Sequence, residues 1–501
     1  MFEPTAPAGR PPGPRRPGRT PLSRGRRRRP SRGQRRARLV VVLAVLALLI
    51  AVVVSGLGGG QVPHPPRPRP AAGAGRGDLF AYDPARASDY VARATAGNAH
   101  VLFAKSPGGA MATAARVAAY RPLIDRATAG TGIDPNLLEG LVFVESAGRP
   151  QVIAGSDVAD AAGLTQILAA TGQDLLGMHI DLARSRRLTA QIAAVQGGRR
   201  RGNLSSLLAR RAAADPRFDP RAELAATVRY LQIALRHFGR SDLAFESYHM
   251  GIGNLQQVLA DYDAGRAAPY VQVYFDSTPD RHPAAFRLLA GFGDDSELYY
   301  WRILGAVQIM HLYRTDRPAL ARLTGLQGAD DAGAAVLHPP DRTAPFADPA
   351  AVAGAYQRRA LVPLPTNAAQ LGISVTADMG AGSRQVSAPQ SLYRGLRPGA
   401  LRLLIALAAR VGSLAHVRAP LALVSTVMDE QYQRRVLGGV YAPAATGWSF
   451  AISRQYVNNA QAEAFQAVLD RLQSLNLIAW AREPAVIEVT AASDAAAWLD
   501  G

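Results

Sequence analysis

Residues 132–149 read GIDPNLLEGLVFVESAGR, and this stretch decides both the fold and the position of the chemistry. Asp134 followed by Pro135 is typical of a helix start, because the carboxylate accepts from free N–H groups and proline lacks an N–H that would stay unpaired there. Glu145 follows Leu141 by four residues and therefore lies on the apolar helix face. A carboxyl placed there loses water, which raises its pKa and suits a general acid. The alternative is a helix-terminal glutamate that turns to solvent, since glutamate is seldom buried.

The composition limits the chemistry available to the chain. Its 501 residues allow two or three domains, and 48% hydrophobic residues are enough for folded cores. The absence of cysteine excludes thiol catalysis, cysteine-ligated zinc and disulfide bonds. The net charge of +19 does not indicate nucleic-acid binding, because much of it lies in the N-terminal tail. We therefore expect no nucleic-acid partner.

The first 57 residues predict a membrane anchor. Residues 1–38 are rich in Arg, Pro and Gly and should form a disordered tail. Residues 39–57 carry no charge and would span about 28 Å as a helix, close to the hydrocarbon thickness of a bilayer. Since the arginines precede this segment, the positive-inside rule places the tail in the cytoplasm and the remaining chain outside the cell membrane. The alternative, a cleaved signal peptide, needs an A-x-A-like site, and none is convincing.

The next region predicts a linker followed by a mainly α domain. Residues 58–85 are rich in Pro and Gly and should be extended, whereas residues 86–325 show helical patterns and no strand pattern. The expected helices are 112–128, broken or kinked at Pro122, a long helix from Pro220, and 297–313.

Residues 177–215 look like an insertion in this domain. They are polar and basic around Arg199, Arg200 and Arg201. We interpret the segment as a solvated insertion between helices, either a plain loop or part of a glycan groove, rather than as a nucleic-acid surface.

The remaining chain predicts a second linker and an α+β domain. Residues 326–390 are rich in Pro, Ala, Gly and Asp, so we expect little structure there. Residues 391–501 combine helical and strand patterns, which is typical of an α+β fold. The expected helices are 399–411 and 461–475, and the expected strands are 421–426 and 486–490.

Four short motifs follow one another along the α domain. They are Glu145-Ser146, Gly163-Leu164-Thr165-Gln166, Tyr248-His249-Met250-Gly251-Ile252-Gly253 and Tyr270-Val271. Each motif is weak alone. In this order, and behind the Asp-Pro-Asn-Leu-Leu helix start, they resemble the lytic transglycosylase family of the soluble-transglycosylase, goose-lysozyme-like type. The resemblance covers residues 112–316 and implies a lysozyme-like fold.

That resemblance implies one catalytic carboxyl, Glu145, and no cofactor. Glu145 would protonate the bond between N-acetylmuramic acid and N-acetylglucosamine, then act as a base toward the muramic 6-hydroxyl, which closes a 1,6-anhydro ring. Typical glycosidases need two carboxylates, and no second one stands in a recognisable motif here.

The same resemblance assigns substrate contacts. Tyr248 would hydrogen-bond Glu145, and Tyr270 would close the site from the far side. At His249 the family usually has Asn, which leaves open whether this residue contacts sugar or only packs. The implied substrate-binding residues are Ser146, Gln166, Tyr248, His249, Gly251, Gly253 and Tyr270.

The C-terminal domain resembles a degenerate VanY-like D,D-carboxypeptidase. The resemblance lies in segments 396–401, 425–429, 446–452 and 487–489. The positions that ligate zinc in active members hold Ala444, Ala451 and Glu488, and Met428 replaces a usual Arg. Alanine cannot ligate a metal, so we expect no metal site here and a wall-binding or structural role.

Three functions stay open at this point. The leading hypothesis is a membrane-anchored peptidoglycan lytic transglycosylase, whose partners are glycan strands and the membrane. A lysozyme-like hydrolase would use the same Glu145 with water as acceptor. A cell-wall-binding scaffold would use neither domain for catalysis.

Overall fold

The computed structural model describes residues 80–329 and 331–500. The expected tail, membrane span and most of the first linker lie outside these residues. Within them, one helix, Pro398–Ala415, is long and apolar enough to cross a membrane by length and composition, but half of it is buried inside the protein. It therefore serves as a core helix of the C-terminal part.

The region up to residue 337 is mainly helical, as its sequence predicts. Its helices begin largely where Asp, Asn or Pro precedes an apolar face. The helices are α1 (Ala87–Gly97), α2 (His100–Ala104), α3 (Ala110–Ala118), α4 (Arg121–Thr128), α5 (Pro135–Ser146), α6 (Leu182–Gln196), α7 (Leu204–Ala214), α8 (Pro220–Phe238), α9 (Ser241–Met250), α10 (Ile252–Asp263), α11 (Tyr270–Asp276), α12 (Pro283–Gly291), α13 (Tyr299–Thr315), α14 (Arg317–Gln327) and α15 (Ala332–Leu337).

Local capping explains the predicted helix boundaries. Asp134 caps α5 by accepting from the Asn136 N–H at 2.8 Å, and Asp219 caps α8 in the same way. The break expected at Pro122 separates α3 from α4, with the proline in the first turn of α4. Proline is tolerated there because no hydrogen bond is lost.

The C-terminal part is α+β, also as predicted. Its helices are α16 (Pro349–Gln357), α17 (Pro398–Ala415), α18 (Glu430–Tyr432), α19 (Asn459–Ser474) and α20 (Ala495–Asp500). Its strands are β1 (Val362–Pro363), β2 (Ile373–Val375), β3 (Gly395–Leu396), β4 (Leu421–Ser425), β5 (Ser449–Ser453), β6 (Ile478–Arg482) and β7 (Val486–Ala491). The five-stranded sheet has the order β2-β4-β5-β7-β6, antiparallel except for the parallel pair β2–β4.

The expected linker over 326–390 is wrong. This segment contains α15, α16 and β2, and β2 joins the main sheet through Ile373 opposite Leu421. The first linker also ends earlier than expected, because Phe80 is already buried in the core. Small, Pro-rich segments become ordered here because they pack on distant elements.

The helical and C-terminal parts share one continuous apolar core. At their contact, the ring of Tyr90 in α1 lies 4.9 Å from the ring of Trp498 in α20 and 5.0 Å from Phe275 in α11. The two parts therefore stabilise each other through aromatic packing.

Candidate active site

Two antiparallel helices, α5 and α13, place a carboxyl beside a tyrosine. Gly140 of α5 lies against Ile303 of α13, and a Cβ on Gly140 would be 2.8 Å from the Ile303 carbonyl oxygen. Glycine therefore permits a close approach of the two helices. Five residues further along α5, Glu145 meets Tyr299 from the start of α13.

The Glu145 carboxyl has the environment that its sequence position predicts. The Tyr299 hydroxyl donates to Glu145 Oε1 at 2.5 Å, and Tyr299 is only 2% exposed. The glutamate keeps partial access to solvent, so a ligand can reach it. Burial raises the pKa of Glu145 to about 7, while the hydrogen bond from Tyr299 opposes that rise. Near neutral pH this group can therefore both donate and accept a proton.

The Gly163–Gln166 loop is held beside the end of α5. The Ser146 hydroxyl donates to the Leu164 carbonyl at 2.7 Å. The Glu223 carboxylate of α8 accepts from the Leu164 N–H at 2.5 Å and the Thr165 N–H at 2.8 Å. Gly163 has φ +95°, and a Cβ there would lie 2.4 Å from Glu223 Oε1. Only glycine fits this position.

Glu223 is a second buried carboxyl, but it is committed to the loop. It is fully buried, and the Thr165 hydroxyl also donates to it at 3.0 Å. Burial raises the pKa of Glu223 to about 8, against the opposing effect of its donors and of Arg217. Enclosed in this way, Glu223 supports the loop and has no room to attack a ligand.

Gln166 contacts its own loop in this structure. Its side-chain amide donates to the Gly163 carbonyl at 2.7 Å and to the Val152 carbonyl at 3.2 Å. The residue is half-buried and has φ +56°, a left-handed conformation that costs energy for a residue with a Cβ. The amide NH₂ is occupied, while its carbonyl oxygen forms no hydrogen bond in the described structure. That oxygen is the group available to a ligand.

Tyr248 lies near the carboxyl but does not hydrogen-bond it. Its hydroxyl donates to the Thr165 carbonyl at 2.9 Å and lies 3.5 Å from the Thr227 hydroxyl. Its ring is stacked with that of Tyr299, with centroids 6.5 Å apart. The expected donor to Glu145 is therefore replaced by Tyr299, and Tyr248 instead ties α9 to the loop.

His249 belongs to a chain of hydrogen-bonded polar groups that continues through Ser296 to Asp294. Its Nδ1 lies 2.9 Å from the Ser296 hydroxyl, which donates to Asp294 at 2.5 Å. Because the serine proton goes to the carboxylate, Nδ1 must carry the imidazole proton, which leaves Nε2 as an acceptor. Desolvation lowers the pKa of His249, so the ring is neutral at pH 7. The ring stacks on that of Tyr299, with centroids 5.1 Å apart, and Tyr299 is the residue that donates to Glu145.

Two glycines follow at the surface. Gly251 has φ +89° and ends α9, so its position requires glycine for conformational reasons. Gly253 lies in α10 with ordinary helical geometry and is exposed, and a Cβ at this position would meet no atom within 4 Å. The fold does not require glycine at 253, and the substrate contact expected there stays a prediction.

Two expected substrate contacts are not supplied by the structure. Ser146 is 1% exposed and bonds the loop and its own helix. Tyr270 is fully buried, and its hydroxyl donates to the Glu297 carbonyl at 2.7 Å. Its ring packs against Trp301 at 5.5 Å. Both residues therefore support the site from beneath and do not line it.

Neither Tyr299 nor Glu223 was predicted from the sequence. Tyr299 is 154 residues from Glu145, and Glu223 is 59 residues from Leu164. No spacing rule connects positions this far apart. The one available signal was Glu223, a glutamate among the apolar positions of α8. Glutamates are also common in solvated first turns of helices, so this signal does not separate the two cases.

Two of the three positions that resemble zinc ligands lie on the C-terminal sheet, whereas Ala444 lies in a short 3₁₀ helix before β5. Ala451 of β5 pairs with Glu488 of β7, and both Ala451 and Ala444 are 2% exposed. Burial and the nearby Glu483 raise the pKa of Glu488 to about 7. Within the described ranges, no cluster of three or more His, Cys, Asp or Glu residues could hold a metal ion.

A cavity of about 450 Å³ lies elsewhere, between the helical and C-terminal parts. Its lining includes Tyr274, Glu297, Arg302 and Asp470, and does not include Glu145. The cavity and the Glu145 site are therefore separate, and the cavity lies at the contact between the two parts.

Comparison of the chain with protein-family models finds no match, and comparison with curated proteins finds none either.

Proposed function

We propose that this chain is a peptidoglycan lytic transglycosylase with Glu145 as its single acid–base. The observation that carries the proposal is the partly accessible Glu145 carboxyl, with a pKa near 7, hydrogen-bonded by Tyr299 and flanked by the Gln166 loop and His249. A carboxyl poised near the working pH can serve in both directions of proton transfer.

In the first step, protonated Glu145 donates to the glycosidic oxygen between N-acetylmuramic acid and N-acetylglucosamine. The substrate's acetamido group stabilises the positive charge that develops at C1. Glu223 cannot supply that charge stabilisation by contact, because it is enclosed and occupied by three donors. A substrate-assisted route is one known exception to the two-carboxylate rule.

In the second step, the Glu145 carboxylate accepts the proton of the muramic 6-hydroxyl as its oxygen bonds to C1. This closes the 1,6-anhydro ring and restores the acid. The Tyr299 hydroxyl stabilises the carboxylate between the steps, since a hydrogen bond to an ionised group is stronger than one to a neutral group.

We further propose that the protein acts outside the cell membrane as a single-pass protein with a cytoplasmic N-terminus. The support is the charge-free stretch over residues 39–57 behind the arginine-rich tail. The C-terminal part, with alanines at 444 and 451, would bind the wall or support the catalytic part.

A lysozyme-like hydrolase is the second candidate, and His249 favours it. Its Nε2 is an acceptor on a ring that stacks on Tyr299, the donor to Glu145, and it can take a proton from water. The two reactions differ in product mass by one water.

The deciding experiment digests purified peptidoglycan with the full chain in detergent and measures the products by mass spectrometry. Anhydro ends support the transglycosylase, and reducing ends support the hydrolase. Glu145→Gln should abolish either product, whereas the matched change Glu463→Gln, at an exposed glutamate on α19, should not alter the yield. Full activity of the Glu145→Gln chain would refute Glu145 as the acid, and the absence of both products from the native chain would leave the wall-binding scaffold.

A further inference from the structure

The basic hairpin, defined as residues 182–214, stands apart from the main core. It consists of α6, a turn and α7, and its apolar residues Leu188, Ile192, Leu207 and Ala214 form a small cluster of their own. A hairpin that packs mainly on itself adds little to the stability of the main core. Its outer surface is therefore free for another role.

The charge of the basic hairpin is one-sided. Residues 182–214 contain eight arginines and no aspartate or glutamate. Two of the arginines fix the hairpin to the protein. The other six are exposed, and in the part of the chain that the structure describes none of their guanidinium groups forms an ion pair; they are Arg184, Arg187, Arg199, Arg200, Arg201 and Arg210. Like charges this dense repel one another unless a negative partner binds.

The two remaining arginines attach the basic hairpin to the loop that leads from Glu145 to Gly163. Arg186 forms a bidentate pair with Asp157, with both shortest N–O distances at 2.8 Å. Arg211 is buried and donates to the Gln151 side chain. The hairpin is thus bound directly to the loop beside the candidate active site.

A buried ion pair strengthens the same connection. Asp215, just after α7, pairs with Arg217, and both side chains are fully buried. The Arg217 guanidinium also donates to the carbonyls of Val158, Asp160 and Ile167 around the Gln166 loop. The hairpin and the loop therefore hold a fixed relative position.

We propose that the basic hairpin binds the carboxylates of the peptide stems carried by the glycan strand. This rests on the proposed function, because a glycan strand cleaved at Glu145 would carry its stems beside the loop to which the hairpin is attached. Positively charged side chains pair with carboxylates, and several exposed pairs acting together hold what a single weak pair cannot.

The composition of the hairpin favours this partner over two other polyanions. Residues 182–214 contain no Phe, Tyr or Trp, which single-stranded nucleic-acid surfaces use for stacking. None of the exposed large hydrophobic residues lies in the hairpin, whereas membrane-surface helices insert such residues among the lipids. A charged surface that has neither aromatic residues for stacking nor exposed large hydrophobic residues for insertion suits a solvated polymer that carries carboxylates.

The test measures sedimentation of the full chain in detergent with insoluble peptidoglycan. All proteins carry Glu145→Gln, so the glycan is not consumed. The hairpin variant changes the six exposed arginines to Gln. A charge-keeping variant changes them to Lys, and a matched control changes six scattered exposed arginines to Gln: Arg126, Arg236, Arg287, Arg322, Arg384 and Arg418. Exposed substitutions of this kind leave the fold intact, which thermal unfolding checks.

Three preparations, all freed of phosphate polymers by acid, identify the partner. They are untreated peptidoglycan, peptidoglycan with amidated carboxyls, and glycan stripped of its peptide stems by an amidase. We expect the Gln variant to bind untreated material at least about tenfold more weakly than the parent, and the Lys variant and matched control to stay within about threefold. The parent should lose a similar factor on the amidated and stripped preparations.

Equal binding by the Gln variant and the parent would overturn the proposal. So would undiminished binding of the parent to the amidated peptidoglycan or to the glycan stripped of its peptide stems. Failure of the proposed function is read separately, from cleavage by the chain with native Glu145 compared with Glu145→Gln, and does not alter the sedimentation result.

Discussion

Glu145→Gln should make the protein more stable, and the gain should grow with pH. Glutamine keeps the size of the side chain and the oxygen that accepts from Tyr299. It removes the ionisation of a carboxyl that burial disfavours. A residue selected for chemistry at the expense of stability is expected to behave in this way.

The size of the effect follows from the pKa of Glu145, which burial raises from 4.5 to about 7. Below pH 4.5 the carboxyl is protonated in both the folded and the unfolded chain, so it costs nothing. Between pH 4.5 and 7 the folded chain binds more protons, so stability falls as pH rises. Each tenfold change in proton affinity is worth about 1.4 kcal/mol, which gives a loss of about 3 kcal/mol above pH 7. Partial exposure of Glu145 reduces this to about 2 kcal/mol.

The assay is urea denaturation of the full chain and its Glu145→Gln variant between pH 4 and pH 8.5, followed by tryptophan fluorescence. Other buried carboxyls with raised pKa values, such as Glu223 and Glu246, titrate in both proteins and cancel in the difference. The difference in free energy of unfolding should be small at pH 4 and reach about 2 kcal/mol by pH 8. Glu463→Gln, at an exposed position, is the matched control and should show no such trend.

A difference that stays constant within about 0.5 kcal/mol over the whole range would refute this reasoning. It would mean that the Glu145 carboxyl is as well hydrated in the folded chain as in the unfolded chain. A hydrated carboxyl would be ionised at neutral pH, and it could not act as the proton donor.

Tyr299→Phe removes the hydrogen bond that lowers the pKa of Glu145, so the alkaline limb of the pH–activity profile should move to higher pH; an unmoved limb would contradict the pairing. Gly163→Ala places a Cβ against Glu223 in a backbone conformation with φ +95°. It should lower the free energy of unfolding, measured by urea denaturation, by about 2–4 kcal/mol. A loss below about 0.5 kcal/mol would argue against the loop geometry. Gly253→Ala meets open space in a helix, so it should raise the free energy of unfolding by up to about 1 kcal/mol. Glycan cleavage should nevertheless drop at least about tenfold; equal cleavage would show that no ligand approaches that position.

Helix starts were predicted well because their causes are local. Asp134 and Asp219 each accept from an N–H two residues ahead, so a few neighbouring residues contain the whole explanation. The break at Pro122 has the same character, since proline limits its own backbone. Such helix boundaries can be predicted without knowing the remaining fold.

The region 326–390 shows where composition misleads. Its small and Pro-rich residues are typical of a linker, yet Ile373 of β2 pairs with Leu421, which is 48 residues further along the chain. Pairing with such a distant strand stabilises the segment only after that strand is in place. The stability of β2 therefore does not reside in its own residues.

The features of the candidate site also fall into those set by nearby residues and those set by distant ones. The sequence alone determined that Glu145 lies on an apolar helix face near a helix end, because periodicity and capping act over a few residues. Only the tertiary structure decided that Tyr299 is its hydrogen-bond donor, that Tyr248 serves the Thr165 loop, and that Tyr270 is buried beneath the site. The reason is physical: a hydrogen bond depends on separations in space of about 3 Å, and which distant residues reach that separation is set by how whole helices pack.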